Sequence, residues 1–229
     1  MSALPIFIET NQLAEELNNS QLQLIDMSAL ELYEEGHIPG AIHLDYSTII
    51  RQQPPAMGLL PDTRQLQQLF SQIGLRNDAQ VVIYDADGGG QSARLLWTLA
   101  ACGFNNASIL NGGRHAWLAA GQPLIQTSTQ HPPSDFNVAA TPEVVADKAY
   151  VLAHLDDPQV MVLDARSPAE FNGSDLRAVH GGHIPGAHNL DWTLTFDPQD
   201  NFRIKSIAVL ESLLAETHFS HDIEIIVHS

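Results

Sequence analysis

The sequence predicts an α/β protein that contains two copies of one folding unit, and three observations support this. The hexapeptide Gly-His-Ile-Pro-Gly-Ala occurs at residues 36–41 and again at residues 182–187. Each copy follows an apolar run that ends in an aspartate, Asp26 in the first and Asp164 in the second. Short apolar runs of strand length alternate with segments of helical period, which is the pattern of a parallel sheet flanked by helices.

The distance between the hexapeptides indicates a duplicated domain. They begin 146 residues apart, whereas solenoid repeats have periods of about 20–50 residues. With 229 residues, 44% of them hydrophobic, the chain can bury two cores. We therefore predict a first domain at residues 1–126, a polar linker with two prolines at 127–137, and a second domain at 138–229.

The first domain is predicted to alternate strands with helices. Strands are expected at residues 6–8, 22–26, 42–44, 81–85 and 108–110. A first helix is predicted from apolar residues that recur on one helical face, between the N-cap candidates Asp62 and Thr63 and the stop signal Gly74. Those apolar residues are Leu66, Leu69, Phe70 and Ile73. Two further helices are predicted at about 91–101 and 114–120.

The second domain is predicted to repeat this order and then to stop early. Strands are expected at residues 136–140, 160–164, 188–190 and 224–227, with a helix around Leu210 before the last of them. When the halves are superimposed, residues 225–229 fall on 81–85, so that Ser229 matches Asp85. Nothing in the second half corresponds to residues 86–121. We therefore expect the second domain to be incomplete.

Charge and composition argue against several classes of function. The formal net charge of −17 at pH 7 repels nucleic-acid phosphates and anionic lipid. No apolar run approaches the ~18–20 residues of a membrane span, and residues 1–9 lack the features of a targeting segment. The single cysteine, Cys102, cannot form an intramolecular disulfide, which favours a cytoplasmic location.

The motifs resemble the tandem-domain rhodaneses, the thiosulfate sulfurtransferases. Residues 33–41, Tyr-x-x-x-His-Ile-Pro-Gly-Ala, are similar to the first signature of that family, and residues 182–187 repeat its core. Further motifs resemble the family in the same order along the chain: Gln53-Pro54-Pro55 with Gly58-Leu59, Tyr84-Asp85 with Gly88-Gly89-Gly90, Leu110-Asn111-Gly112-Gly113 with Trp117, and Asp164-Ala165-Arg166-Ser167-Pro168 with Glu170-Phe171.

The resemblance implies two rhodanese-like domains, each a five-stranded parallel sheet flanked by helices, with the second incomplete here. In that family a cysteine opens the loop after the fourth strand of the second domain. Its thiolate takes the sulfane sulfur of thiosulfate as a persulfide and passes it to cyanide or another thiophile. Backbone N–H groups and a helix N-terminus stabilise such a thiolate.

Transfer of these roles to the chain places Ser229 at the position of the catalytic cysteine. A serine hydroxyl neither ionises usefully near neutral pH nor carries a persulfide, so we expect residues 1–229 to be inactive as a sulfurtransferase. The resemblance also implies that Arg166 and Trp192 contact the substrate. An ordinary salt bridge to Asp164 or Glu170 remains open for Arg166, and core packing remains open for Trp192.

Other candidate residues favour structural roles. We expect Cys102 to be buried at a helix end, the Asp85 loop to be non-catalytic, and Gly88-Gly89-Gly90 not to bind phosphate. The paired hexapeptide residues His37 and His183 are expected to hold a turn. His218 and His221 have helix-like spacing but no third ligand, so we expect no metal, and we expect no cofactor.

Three functional hypotheses stay open at this point. The chain belongs to a sulfurtransferase with a small anionic sulfur donor and a thiophilic acceptor, or it is a non-catalytic rhodanese-like binding or regulatory module. In the third hypothesis, the chain is part of a longer natural protein that is an ordinary enzyme. No nucleic-acid or membrane partner is expected. The incomplete second domain is expected to expose a strand edge, which favours self-association.

Overall fold

The computed structural model describes residues 5–54, 56–217 and 219–229, and its contacts divide the chain into two units. The first unit comprises residues 1–144 together with 198–203, and the second comprises 145–197 and 204–229. The contacts therefore group the predicted linker, 127–137, with the first unit. The boundaries read from the sequence, 1–126 and 138–229, stay a prediction.

The first unit alternates strands and helices much as the sequence predicts. Its strands are β1 (Phe7–Ile8), β2 (Leu22–Asp26), β3 (Ala41–His43), β4 (Arg51–Gln53), β5 (Ala56–Leu59), β6 (Gln80–Tyr84) and β7 (Ala107–Leu110). Its helices are α1 (Thr10–Glu16), α2 (Leu30–Glu35), α3 (Thr63–Gln72), α4 (Gly90–Ala101) and α5 (Gly113–Ala119).

The main sheet of the first unit has five strands in the order β1-β7-β6-β2-β3. All neighbouring strands in it run parallel. Strand β6 is central, and all five of its residues are buried. Strands β4 and β5 form a separate antiparallel pair. The predicted five-stranded α/β fold is confirmed for this half of the chain.

The two faces of this sheet carry separate apolar cores because successive strand residues point to opposite faces. Val81 and Ile83 of β6 pack in one cluster with Leu66 and Phe70 of α3. Val82 and Tyr84 pack in the other cluster, which includes Trp117 of α5. The apolar stripe of α3 therefore covers one face, as its period predicts.

Helix α3 begins as the sequence predicts. The side chain of Asp62 accepts a hydrogen bond from the backbone N–H of Gln65 at 2.8 Å, and the side chain of Gln65 accepts one from the N–H of Asp62 at 3.1 Å. This reciprocal capping box satisfies two N–H groups that a helix N-terminus leaves unpaired. Asp62, rather than Thr63, is therefore the N-cap.

The rest of the chain contains shorter elements. Its strands are β8 (Val160–Asp164), β9 (His188–Asn189), β10 (Phe196–Asp197), β11 (Arg203–Ile204) and β12 (Glu224–His228). Its helices are α6 (Lys148–Ala153), α7 (Pro168–Phe171) and α8 (Ile207–Ala215). The second unit has a sheet of three strands in the order β12-β8-β9, all parallel. Within the described residues this sheet has three strands, whereas the main sheet of the first unit has five.

The predicted opening strand at residues 136–140 is wrong, since the structure has no strand there. Phe136 is 1% exposed and lies in the core of the first unit. Its ring centroid is 5.2 Å from that of Phe70 and 6.0 Å from that of Phe104. Burial of this aromatic ring therefore fixes the segment to the core of the first unit.

Among the residues described above, none of the helices has both the length and the apolar character needed to cross a bilayer.

Candidate functional site

The carboxyl ends of β8 and β12 form the candidate site of the second unit. Asp164 lies opposite His228 in this parallel pair. The first unit has the same register, with Asp26 of β2 opposite Tyr84 of β6. Open α/β sheets bind ligands at the carboxyl ends of their strands, and Ser229 follows β12 at this end of the second sheet.

The two hexapeptides fold alike in both units. The ring of His37 stacks on Tyr33 with centroids 3.8 Å apart, and the ring of His183 stacks on Phe171 at 3.7 Å. In each case Nδ1 of the histidine lies 2.8 Å from the carbonyl oxygen of its stacking partner. The expected structural role of both histidines is confirmed, and so is the duplication.

Arg166 forms a bidentate ion pair with Asp164. Its Nε lies 2.9 Å from Oδ1 and its Nη2 lies 2.6 Å from Oδ2. The Asp164 side chain is 1% exposed and that of Arg166 is 20% exposed. Nη2 also donates to the carbonyl oxygen of Gly182, at 2.9 Å. The structure therefore contains the salt bridge that the sequence left open, and contact between Arg166 and substrate stays a prediction.

The ion pair controls the protonation of Asp164. Burial by itself raises the pKa of this carboxyl, but hydrogen bonds from the side chain and backbone of Arg166, with the charges of Arg166 and His228, outweigh burial. The net effect lowers the pKa of Asp164 below its ordinary value. The aspartate therefore remains ionised at neutral pH.

We expect the second unit to lose stability in acid. A carboxyl with a lowered folded-state pKa contributes stability above its unfolded pKa of about 3.9, and this stability disappears as the pH falls through the lower folded value. The NMR amide signals of β8, followed during thermal unfolding at pH values from about 5 down to 2, measure this loss. Asp164→Asn should flatten the profile in that window, and identical profiles for the two proteins would contradict the assignment.

His228 is a site residue that sequence analysis did not select. Its Nδ1 lies 3.7 Å from Oδ1 of Asp164, which is too long for a hydrogen bond. This atom is buried and has no hydrogen-bond partner among the described residues. His228 occupies the place of Tyr84, whose hydroxyl accepts a hydrogen bond from the N–H of Ile38 at 3.0 Å. Superposition of the two halves of the sequence was the signal that could have found it.

In the first unit, the carboxylate of Asp85 occupies the loop that follows β6. Asp85 is 2% exposed, and its Oδ1 accepts hydrogen bonds from the N–H groups of Asp87 at 3.1 Å and Gly89 at 2.8 Å. Its Oδ2 accepts from both the N–H and the hydroxyl of Ser92, each at 2.9 Å. The donors of this loop are thus occupied, so the first unit offers no free anion cradle at this position.

Ser229 lies at the corresponding position of the second unit, directly after β12, and is exposed. Trp192 is anchored near the same strand end, since its backbone N–H donates to the carbonyl oxygen of Ala165 at 3.1 Å. Trp192 is 39% exposed, and the centroid of its ring lies 5.4 Å from that of Phe196. The backbones of Arg166 and Trp192 are therefore brought together, while a substrate contact of Trp192 stays a prediction.

The single thiol, Cys102, belongs to the first unit. Cys102 is 3% exposed at the C-terminus of α4, and burial raises its pKa to about 11. We therefore expect a disulfide reagent such as DTNB to modify native Cys102 very slowly, because the thiolate is the reactive form. Modification at the rate of a free thiol should appear only in denaturant, and fast modification of the native protein would contradict a buried structural role.

In the part of the chain that the structure describes, no group of three or more His, Cys, Asp or Glu side chains could hold a metal ion. His218, one member of the pair considered in the sequence, lies outside the described residues.

Comparison with known proteins finds the same family in both halves. The family model of the rhodanese-like domain matches residues 9–120 and 147–229. A thiosulfate sulfurtransferase of Azotobacter vinelandii is 37% identical over 227 residues, which cover 99% of this chain and 83% of that protein. A 3-mercaptopyruvate sulfurtransferase of Escherichia coli is 28% identical over 200 residues, covering 82% of this chain and 71% of that protein.

The structural comparison agrees with the sequence comparison. The crystal structure of a 3-mercaptopyruvate sulfotransferase from Escherichia coli superimposes with a TM-score of 0.87 and 28% sequence identity, covering 98% of this chain and 88% of that one. Together with the repeated hexapeptide and the shared strand register, these matches show that the chain belongs to the rhodanese family and carries two rhodanese-like domains.

Proposed function

We propose that the chain belongs to a sulfurtransferase that moves a sulfane sulfur from thiosulfate, or a related donor, to a thiophilic acceptor through a cysteine persulfide. One observation carries the placement of this chemistry in the second unit. The support is the equal register of β2 with β6 and of β8 with β12, by which Ser229 corresponds to Asp85. In the first unit the buried carboxylate of Asp85 occupies this position.

The proposed transfer has two steps. A thiolate at the position of Ser229 attacks the sulfane sulfur of thiosulfate, the S–S bond of the donor breaks, and sulfite leaves with the bonding electron pair. Cyanide or another thiophile then attacks the outer sulfur of the persulfide, which returns the thiolate and releases thiocyanate. The nucleophile of this transfer must therefore be a cysteine thiolate, which serine cannot replace.

We further propose that residues 1–229, with serine at position 229, have no thiosulfate sulfurtransferase activity. Purified protein mixed with thiosulfate and cyanide should produce thiocyanate no faster than buffer does. Cys102, the one thiol of the sequence, is buried and lies outside the candidate site. Turnover by the unmodified chain would contradict the proposal, and the same assay on Cys102→Ser would show whether that turnover uses the thiol.

The non-catalytic module is a second candidate, because both nucleophile positions hold a residue other than cysteine, Asp85 and Ser229. Ser229→Cys distinguishes the two proposals. A sulfurtransferase site should transfer one sulfur atom from thiosulfate to this thiol, detectable by mass spectrometry, whereas a binding module should not. Ser212→Cys is the matched control, since Ser212 is an exposed serine of α8 in the same unit. Equal loading of both thiols would indicate unspecific chemistry.

We propose that Arg166 and Trp192 bind the anionic donor. Nε and Nη2 of Arg166 are engaged with Asp164 and Gly182, while Nη1 makes no hydrogen bond within the described part of the chain, so its protons can meet an anion. Arg166→Gln should weaken thiosulfate binding, measured by calorimetry, about fivefold or more. Arg177→Gln is the control, since Arg177 is an exposed arginine in the same unit, and equal losses would contradict the assignment.

We propose the cytoplasm as the compartment of this chemistry. The supporting observation is the single free cysteine, Cys102, which is compatible with a reducing environment.

We also propose that the chain self-associates through its second unit. The support is the exposed apolar side chains in the helices of that unit, such as Leu152 and Ile207.

A further inference from the structure

The turn that carries Arg166 has three consecutive carbonyl groups, and one segment of the chain binds all of them. The turn begins at Asp164, the last residue of β8, and continues through Ala165 to Arg166. Nδ2 of Asn189 donates to the carbonyl oxygens of Asp164 at 2.9 Å and of Arg166 at 2.8 Å. The backbone N–H of Trp192 donates to the carbonyl oxygen of Ala165 at 3.1 Å. The segment from Asn189 to Trp192 therefore fixes the backbone of this turn.

The position and the chemistry of Asn189 suit it to this contact. It lies opposite Asp164 in the parallel pair of β8 and β9. A side-chain amide nitrogen carries two N–H donors, so one asparagine can bind two carbonyl oxygens at once. The backbone N–H of the next residue, Leu190, also donates to the carbonyl oxygen of Asp164, at 3.0 Å. Both bonds of the Asn189 side chain are partly buried, which limits the competition from water.

The first unit holds the corresponding turn with a different side chain. His43 and Asn189 occupy the same place, each opposite the aspartate that ends the neighbouring strand. Nε2 of His43 lies 2.9 Å from the carbonyl oxygen of Ser28, which is the counterpart of Arg166. The same strand position thus holds the same carbonyl group in both units. The residue that is held is neutral in the first unit and cationic in the second.

We propose that Asn189 is a positioning residue that fixes the guanidinium of Arg166 for an anionic sulfur donor. This inference rests on the proposed function and deepens it. The carboxylate of Asp164 and the carbonyl oxygen of Gly182 bind Nε and Nη2 of Arg166. These contacts keep the guanidinium in one place only while the backbone that bears it stays fixed. Asn189 supplies that condition, so it acts on the donor through Arg166 and not by contact.

A fixed backbone matters because the arginine side chain is long and flexible. Such a side chain loses rotamer entropy when a ligand orders it, and ordering it before the ligand binds raises the affinity. Asn189→Leu keeps the shape of the side chain and removes both donors. The turn can then move, and part of the ordering of Arg166 is left to the binding step. We expect the dissociation constant of thiosulfate to rise about threefold.

A double-mutant cycle measured by calorimetry tests whether Asn189 acts through Arg166. Asn189→Leu should weaken thiosulfate binding about threefold in the wild-type chain and cause no further loss in an Arg166→Gln background. Asn189→His should restore the wild-type affinity, because an imidazole at this strand position reaches the same carbonyl group in the first unit. Equal losses in both backgrounds would overturn the proposal. Amide protection in β8 reports whether each variant folds, and Asn189→Ala replaces Asn189→Leu if the latter does not.

Asn172→Leu is the matched control. Asn172 is an exposed asparagine of the same unit, and it also holds a turn, since its Oδ1 accepts a hydrogen bond from the N–H of Ser174 at 2.9 Å. Its replacement should leave the affinity for thiosulfate unchanged. A loss equal to that of Asn189→Leu would overturn the specific role of Asn189.

The Nε–H signal of Arg166 in ¹⁵N NMR spectra tests the positioning without thiosulfate. Arg166→Gln identifies this signal by its disappearance. Because Nε donates to both oxygens of Asp164, at 2.9 and 3.2 Å, its proton should exchange slowly with water. We expect about fivefold faster exchange in Asn189→Leu and the wild-type rate in Asn189→His. Unchanged exchange in Asn189→Leu would overturn the positioning role. Faster exchange in a chain that binds no thiosulfate would contradict the proposed function and still support the fixing of Arg166 by Asn189.

Discussion

Replacement of Asp85 by alanine will lower the free energy of unfolding of the first unit by about 3 kcal/mol. The backbone N–H groups of Asp87, Gly89 and Ser92 lose their acceptor together, as does the Ser92 hydroxyl. Ser92 is fully buried, so its donors cannot turn to water, and each unsatisfied buried donor costs about 1–3 kcal/mol. Chemical denaturation followed by circular dichroism measures the loss.

Asp87→Ala is the matched control for this prediction. It removes the same charge from the same loop, but Asp87 is exposed, and its Oδ2 accepts one long hydrogen bond, from Gln91 at 3.3 Å. We expect a change below about 0.5 kcal/mol. If the two variants lost equal stability, loop charge rather than the filled cradle would explain the effect, and the interpretation of Asp85 would be wrong.

Replacement of Asp164 by alanine will lower the free energy of unfolding of the second unit by about 3 kcal/mol. The substitution leaves the Arg166 guanidinium without the carboxylate that binds its Nε and Nη2. Removal of one member of a buried ion pair costs about 3–5 kcal/mol, and the lower end applies because Arg166 is partly exposed. Thermal unfolding followed by the NMR amide signals of β8 measures the change.

The chain contains an exposed pair with the same spacing that serves as a control. Nη2 of Arg177 lies 2.9 Å from Oδ2 of Asp175, with side chains 67% and 43% exposed. Asp175→Ala should cost less than about 0.5 kcal/mol, since water screens an exposed pair. A loss as large as that of Asp164→Ala would show that burial does not set the strength of these pairs.

These two carboxylates explain how one duplicated fold gives two different strand ends. In the first unit Asp85 binds the donors of its own loop, which leaves no anion cradle free. In the second unit Asp164 binds Arg166 at the carboxyl ends of β8 and β12, and the residue that follows β12 is Ser229. The proposed sulfur chemistry in the second half therefore depends on the residue directly after each strand, and not on the fold that the halves share.

Local patterns predicted most of the framework. The bounds of β2 and β8 agree with those read from the sequence, because each is a short apolar run that ends in an aspartate. The start of α3 agrees as well, since a capping box depends on residues three apart in the chain. Superposition of the two hexapeptides also predicted that Ser229 matches Asp85, and the strand registers confirm it.

Other features depend on residues that are distant in the sequence. Phe136 begins a run that favours a strand, yet it is buried between Phe70 and Phe104. His228 belongs to none of the sequence motifs, and it lies beside Asp164 only because β8 and β12 are neighbouring strands. The bidentate geometry of Arg166 was one of two alternatives in the sequence, and the contact geometry selects the salt bridge.

The sequence by itself determined that the chain holds two copies of one α/β folding unit and which residue follows each strand, because apolar runs, hydrophobic periodicity and helix caps involve residues that are close together in the chain. Only the tertiary structure decided that the Asp85 carboxylate fills its own loop and that Asp164 engages Arg166. Hydrogen bonds, burial and strand pairing join residues far apart in the chain, so their outcome depends on packing that no local pattern specifies.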